Sequence, residues 1–104
     1  MTEEFTKVAE ASEIPPGKMK DVKFMGQDLM LANVDGKFYA LSNICTHMAG
    51  PLARGKLTGF VVQCPWHGSR FDVRTGEVVG PPARFPQARF EVKLDNGSVL
   101  VKKS

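Results

Sequence analysis

Two cysteines and two histidines are all that the 104-residue chain contains, and they fall in two short motifs. The first is Cys45-Thr46-His47 and the second is Cys64-Pro65-Trp66-His67, with residues 48–63 between them. Glycine and proline surround both: the first motif runs on to Gly50-Pro51, and the second holds Pro65 and is followed by Gly68. Each motif thus reads as a loop presenting two donors, and two such loops meeting at one point would assemble four.

Four chemistries compete for this set. A nucleophilic Cys–His pair would use one motif and leave the other without a purpose. A disulfide between Cys45 and Cys64 would ignore both histidines and would be out of place in a reducing cytosol. Zinc accepts a tetrahedral Cys2His2 set, but structural zinc loops mostly present two thiolates at short spacing, not one thiolate and one imidazole. A two-iron cluster gives the mixture a reason. Two thiolates can hold one iron and two neutral imidazoles the other, and replacing anionic ligands by neutral ones makes reduction easier.

The elements that must position these motifs read as strands. Alternation at period two and repeated turn signals indicate an all-β, antiparallel domain. Asp35-Gly36 separates "LMLANV" from "KFYALSN", and Asn96-Gly97 separates "RFEVKL" from "SVLVKK"; both pairs are strong hairpin signals. Thr75-Gly76 divides "RFDV" from "EVV" as a weaker third hairpin. Phe90, Val92 and Leu94 alternate with charged residues as in a half-buried strand. Pro15-Pro16-Gly17 and Gly80-Pro81-Pro82 are expected in loops, because proline cannot continue a ladder. No stretch of ten residues has a clean helical period. The first motif follows "KFYALSN" and the second follows "FVVQ", so both are expected at strand ends.

Composition narrows the function classes. A hydrophobic share of 42% with 24% charged residues is that of an ordinary globular domain, and this length supports one modest core. Fourteen Lys and Arg against eleven Asp and Glu give +3, too slight and scattered for nucleic-acid binding. Arg70, Arg74, Arg84 and Arg89 cluster after the second motif and read as a solvated face, with an acidic docking partner as the alternative. The polar start "MTEEFTKVAE" and the lack of a long apolar run argue against a signal peptide and a membrane span. A cytoplasmic protein is expected.

The order C-x-H, sixteen residues, C-x-x-H resembles the Rieske [2Fe–2S] signature. The likeness extends through "GSRFDVRTGEVVGPPA", residues 68–83, similar to the segment of Rieske ferredoxins that returns to the sheet and passes over the cluster. The resemblance implies one [2Fe–2S] cluster, with Cys45 and Cys64 on one iron and His47 and His67 on the other. It implies a Rieske-like antiparallel β-sandwich or barrel with a small cluster-binding subdomain of two loops. Residues 1–104 would form one domain, with a base of about 1–42 and 84–104 and a cluster-binding part of about 43–83. Gly80, Pro81 and Pro82 would shield the cluster from water, Trp66 would give apolar cover, and the outer edges of the two imidazoles would be where electrons leave.

Respiratory Rieske proteins carry two further cysteines, and Gly50 and Trp66 occupy those positions here. Their sulfur-bonding tyrosine is matched by Phe71, which cannot donate, whereas Ser69 matches their serine. The pattern is similar to the soluble Rieske-type ferredoxins that feed aromatic-ring oxygenases. It implies a monomeric one-electron carrier, not itself an enzyme, between a flavin-dependent reductase and a terminal oxygenase or similar acceptor. A noncatalytic Rieske subunit, as in nitrite reductase small subunits, is the alternative. A structural zinc protein is the other, and it would be colourless.

Overall fold

A computed structural model of the chain describes residues 5–43, 52–66, 68–80 and 86–103. Among them the strands are β1 (Thr6–Glu10), β2 (Met19–Phe24), β3 (Gln27–Val34), β4 (Lys37–Ser42) and β5 (Lys56–Thr58). They continue with β6 (Val61–Gln63), β7 (Arg70–Asp72), β8 (Val78–Gly80), β9 (Arg89–Asp95) and β10 (Ser98–Lys103). Six of them form one sheet in the order β1-β10-β9-β4-β3-β2, and four form a second in the order β5-β6-β7-β8. All pairings are antiparallel. The larger sheet curls until its edge strands β1 and β2 approach each other, giving a near-barrel. The expected all-β architecture is the one observed. The described residues contain no helix long and apolar enough to cross a membrane.

Turn chemistry sets the ladders. Asp35-Gly36 has φ of 53° and 91°, and Asn96-Gly97 has 51° and 81°. Paired left-handed residues give a two-residue turn whose twist matches the flanking strands. A third turn of the same kind, Met25-Gly26 with φ of 50° and 83°, joins β2 to β3. Methionine gives no turn signal, so the sequence does not announce it. The ladder from Met19↔Ala32 to Phe24↔Gln27 leaves those two residues to close the hairpin.

Strand β3 lies between two cores, which explains why its apolar run does not alternate. Leu29 and Leu31 pack inside the curled sheet with Ile14, Phe24, Ala40, Phe90, Val99 and Val101. Met30, Ala32 and Val34 face the smaller sheet and meet Leu41, Leu52, Val62, Cys64, Phe71 and Val73. Each fully buried side chain of this size removes enough apolar surface to contribute about 1.5–3 kcal/mol before entropy is counted. The second core joins the two sheets, and it contains Cys64.

Two details differ from the sequence reading. Gly80 is the last residue of β8, opposite Arg70, and not part of a loop. A Cβ there would lie 2.4 Å from the Arg70 guanidinium, so only glycine lets that side chain lie against the strand. Leu94 is 46% exposed. The reason is that β9 pairs with β4 only through Ala40↔Phe90 and Leu41↔Arg89, and then leaves it. Two short 3-10 turns, Ala11–Glu13 and Leu52–Arg54, also go beyond the sequence reading.

Candidate metal centre

Cys64 immediately follows β6 and is 1% exposed. Its N–H donates to the carbonyl of Ser69 at 2.7 Å, which closes the connection from β6 to β7. Below it the ladder continues through Gln63↔Arg70 and Val62↔Phe71. Gly68 holds a φ of 78°, a conformation other residues adopt at a cost. Phe71, Val62 and Ser69 have no exposed surface. The thiol is thus held by a rigid hairpin, against an apolar wall of Leu52, Val62 and Phe71. Trp66 is 48% exposed.

Of the four expected ligands, Cys64 alone lies within the described residues. Cys45, His47 and His67 lie outside them, as do Gly50, Arg84 and the expected shield residues Pro81 and Pro82. The residues that flank segment 44–51 lie side by side. Asn43 follows β4, and its carbonyl accepts from Leu52 N–H at 2.9 Å while its Oδ1 accepts from Ala53 N–H at 2.8 Å. Asn43 N–H donates to Asp28 O at 3.0 Å. The segment bearing the first motif therefore leaves and re-enters at one point. Its re-entry residue, Leu52, packs in the same core as Cys64.

Gln87 makes the second joint between the sheets. Its Nε2 donates to Ser42 O at 2.7 Å, and its N–H donates to Gly76 O at 2.7 Å. Neither Asn43 nor Gln87 carries a sequence signal for this role, since each bonds to carbonyl or amide groups that only the tertiary fold brings near.

The charge around Cys64 is positive. Arg54 and Lys56 are exposed at a shallow pocket that they share with Gln63, Cys64, Pro65 and Gly68. Farther off, Asp72 accepts from the guanidinium of Arg74 at 2.8 and 3.1 Å and from its N–H at 2.8 Å. That bonding holds the Asp72 carboxyl below the usual carboxylate range. The same guanidinium lies 4.1 Å from the centre of the Phe60 ring. Arg70, Arg74 and Arg89 are all exposed, which a solvated face and a docking patch share.

A two-iron cluster fits what the described residues offer. Among the described residues no three or more His, Cys, Asp or Glu come together as a metal site, and Cys64 is the one expected ligand they include. Its sulfur is sheltered from water at the end of a closed hairpin. Thiolates that hold iron–sulfur clusters need such shelter, because burial and hydrogen bonding around the sulfur set the potential.

Comparison with known proteins agrees. The Rieske [2Fe-2S] domain family matches residues 4–91. The ferredoxin component of the naphthalene 1,2-dioxygenase/salicylate 5-hydroxylase systems of Ralstonia sp is 36% identical over 102 residues, covering 98% of each chain. The biphenyl dioxygenase ferredoxin subunit of Pseudomonas sp. (strain KKS102) is 39% identical over 98 residues, covering 93% of this chain and 90% of that one. Among solved structures, the ferredoxin of carbazole 1,9a-dioxygenase from Nocardioides aromaticivorans IC177 superimposes with a TM-score of 0.92 at 29% identity, covering 96% and 98% of the two chains. A chain in the complex of reduced oxygenase and oxidized ferredoxin of carbazole 1,9a-dioxygenase gives 0.90 at 36% identity, covering 98% and 95%. Fold, cysteine environment and full-length likeness lead to one conclusion: the chain belongs to the Rieske [2Fe–2S] family, and its cofactor is a Rieske cluster.

Proposed function

We propose that this ferredoxin delivers single electrons to the terminal oxygenase of an aromatic-ring dioxygenase system, having received them from a flavin-dependent reductase. The full-length likeness to ferredoxin components carries this reading, and the likeness to a chain in a solved complex of oxygenase and ferredoxin supports it. Cys45 and Cys64 hold one iron, and His47 and His67 hold the other. When bound, the cluster takes up and releases one electron. The protein's own part is to exclude water and fix the donors. Leu52, Val62 and Phe71 keep the Cys64 sulfur in an apolar setting, and the Cys64–Ser69 bond holds its backbone.

The carrier acts as a cytoplasmic monomer. Its base comprises about 1–42 and 84–104, and its cluster-binding part about 43–83. The purified protein should show the Rieske absorption and EPR signals, and after reduction it should be reoxidised by a purified biphenyl- or naphthalene-type terminal oxygenase. His47→Ala and His67→Ala should lose the signal. Protein that is colourless and holds zinc, or reduced protein that no such oxygenase reoxidises, would overturn the reading.

A further inference from the structure

Gln87 lies outside both motifs, yet it is 3% exposed. Burying an amide is costly unless hydrogen bonds replace its water. A methionine of similar length would fill the same space without that requirement, so the polarity calls for a geometric explanation.

The bonds of Gln87 supply one. Its Nε2 holds the carbonyl of Ser42, and Ser42 N–H donates to Ala88 O at 2.9 Å. Ser42 ends β4, three positions before Cys45. Through its main chain Gln87 also holds Gly76 O, in the turn between β7 and β8. Strand β7 is laddered to β6, whose end carries Cys64. One residue therefore ties the strand end that launches the first motif to the sheet that carries the second. The approach is close: a Cβ on Gly76 would lie 2.3 Å from Gln87 O, and Gly76 itself has a φ of 83°.

We propose that Gln87 is a positioning residue for the cluster, fixing the spacing between the two ligand motifs and thereby its reduction potential. The inference rests on the ligand assignment proposed above. Asn43 holds the two ends of segment 44–51 together. Gln87 sets where that segment begins relative to Cys64. A cluster whose irons are held from both motifs senses that spacing as ligand geometry, which its EPR g-values and potential report.

The test uses the cluster-loaded protein in three variants. Gln87→Met removes the donor while keeping length, and Gly76→Ala forces the other end of the same joint apart. Asn33→Leu is the control: it removes a buried amide that bonds Ile14 O at 2.7 Å and Gly36 N–H at 2.8 Å, at the β3–β4 turn. Gln87→Met and Gly76→Ala should both shift the potential and the g-values, and lose iron to a chelator several-fold faster than wild type. Asn33→Leu should lower the melting temperature and leave potential and g-values in place. If Gln87→Met does not fold, Gln87→Asn, which withdraws the amide by one methylene, is read the same way. Melting temperatures that fall as in Asn33→Leu, with potential and g-values unchanged, would overturn the proposal. A wild-type protein without a Rieske signal would instead refute the ligand assignment, a failure visible before any variant is made.

Discussion

Ser69 and Phe71 stand two residues apart where the chain returns from Cys64, and neither has exposed surface. Hydrogen-bond donors aimed at cluster sulfurs stabilise the more negative, reduced state and raise the potential. Phe71 packs in the core that holds Cys64 but has no donor. The wild-type potential is therefore expected in the lower half of the Rieske range of roughly −150 to +300 mV. Phe71→Tyr should raise it, and Ser69→Ala should lower it, as voltammetry of all three proteins at one pH will show. A hydroxyl buried without a partner costs about 1–3 kcal/mol. A Phe71→Tyr protein that melts lower at an unchanged potential would show that the phenol does not reach a sulfur.

At the scale of elements, the β5–β6 hairpin carries Cys64 at its end, and Gly55, just before β5, packs against that end. A Cβ on Gly55 would sit 1.8 Å from Gln63 O, the carbonyl of the residue before Cys64. Gly36, by contrast, has φ of 91° and open space around it. Gly36→Ala should cost only local backbone strain, about 1–2 kcal/mol. Gly55→Ala must displace a strand, and overpacking of that kind costs about 1–3 kcal/mol or more. Thermal melts should rank Gly55→Ala as the more damaging, and it alone should alter the visible spectrum of the cluster. An unaltered spectrum would mean that the hairpin shifts without moving the thiol.

Across the whole molecule, two sheets meet over one apolar core and are joined by few polar bonds, chiefly those of Asn43 and Gln87 among the described residues. With the ligands proposed above, a cluster held from both motifs would cross-link residues 45 and 67, and closing a loop in this way contributes to folding. Removing the iron with a chelator should cost about 2–3 kcal/mol, close to what a cross-link over such a loop provides. For a domain of this size that lowers the melting temperature by roughly 10 °C or more. An apoprotein melting with the loaded protein would show that the sheets are held by packing alone.

Much of this was legible in the residues. Asp35-Gly36 and Asn96-Gly97 specify their hairpins because their backbones favour the left-handed conformation that the turns require. The types and spacing of Cys45, His47, Cys64 and His67 are what point the sequence to a metal centre, and of the four only Cys64 lies within the described residues. Contacts between residues distant in sequence were not legible. Met25-Gly26 forms a turn because the flanking ladder leaves it no other conformation, and β3 breaks alternation because a second sheet covers its outer face. Gly80 extends β8 because it pairs with Arg70 across the ladder, a partner distant in sequence. Asn43 and Gln87 are ordinary polar residues in the sequence. Only the tertiary structure places their bonding groups against Ser42, Leu52, Ala53 and Gly76, since hydrogen bonds between sheets depend on positions that no local pattern encodes.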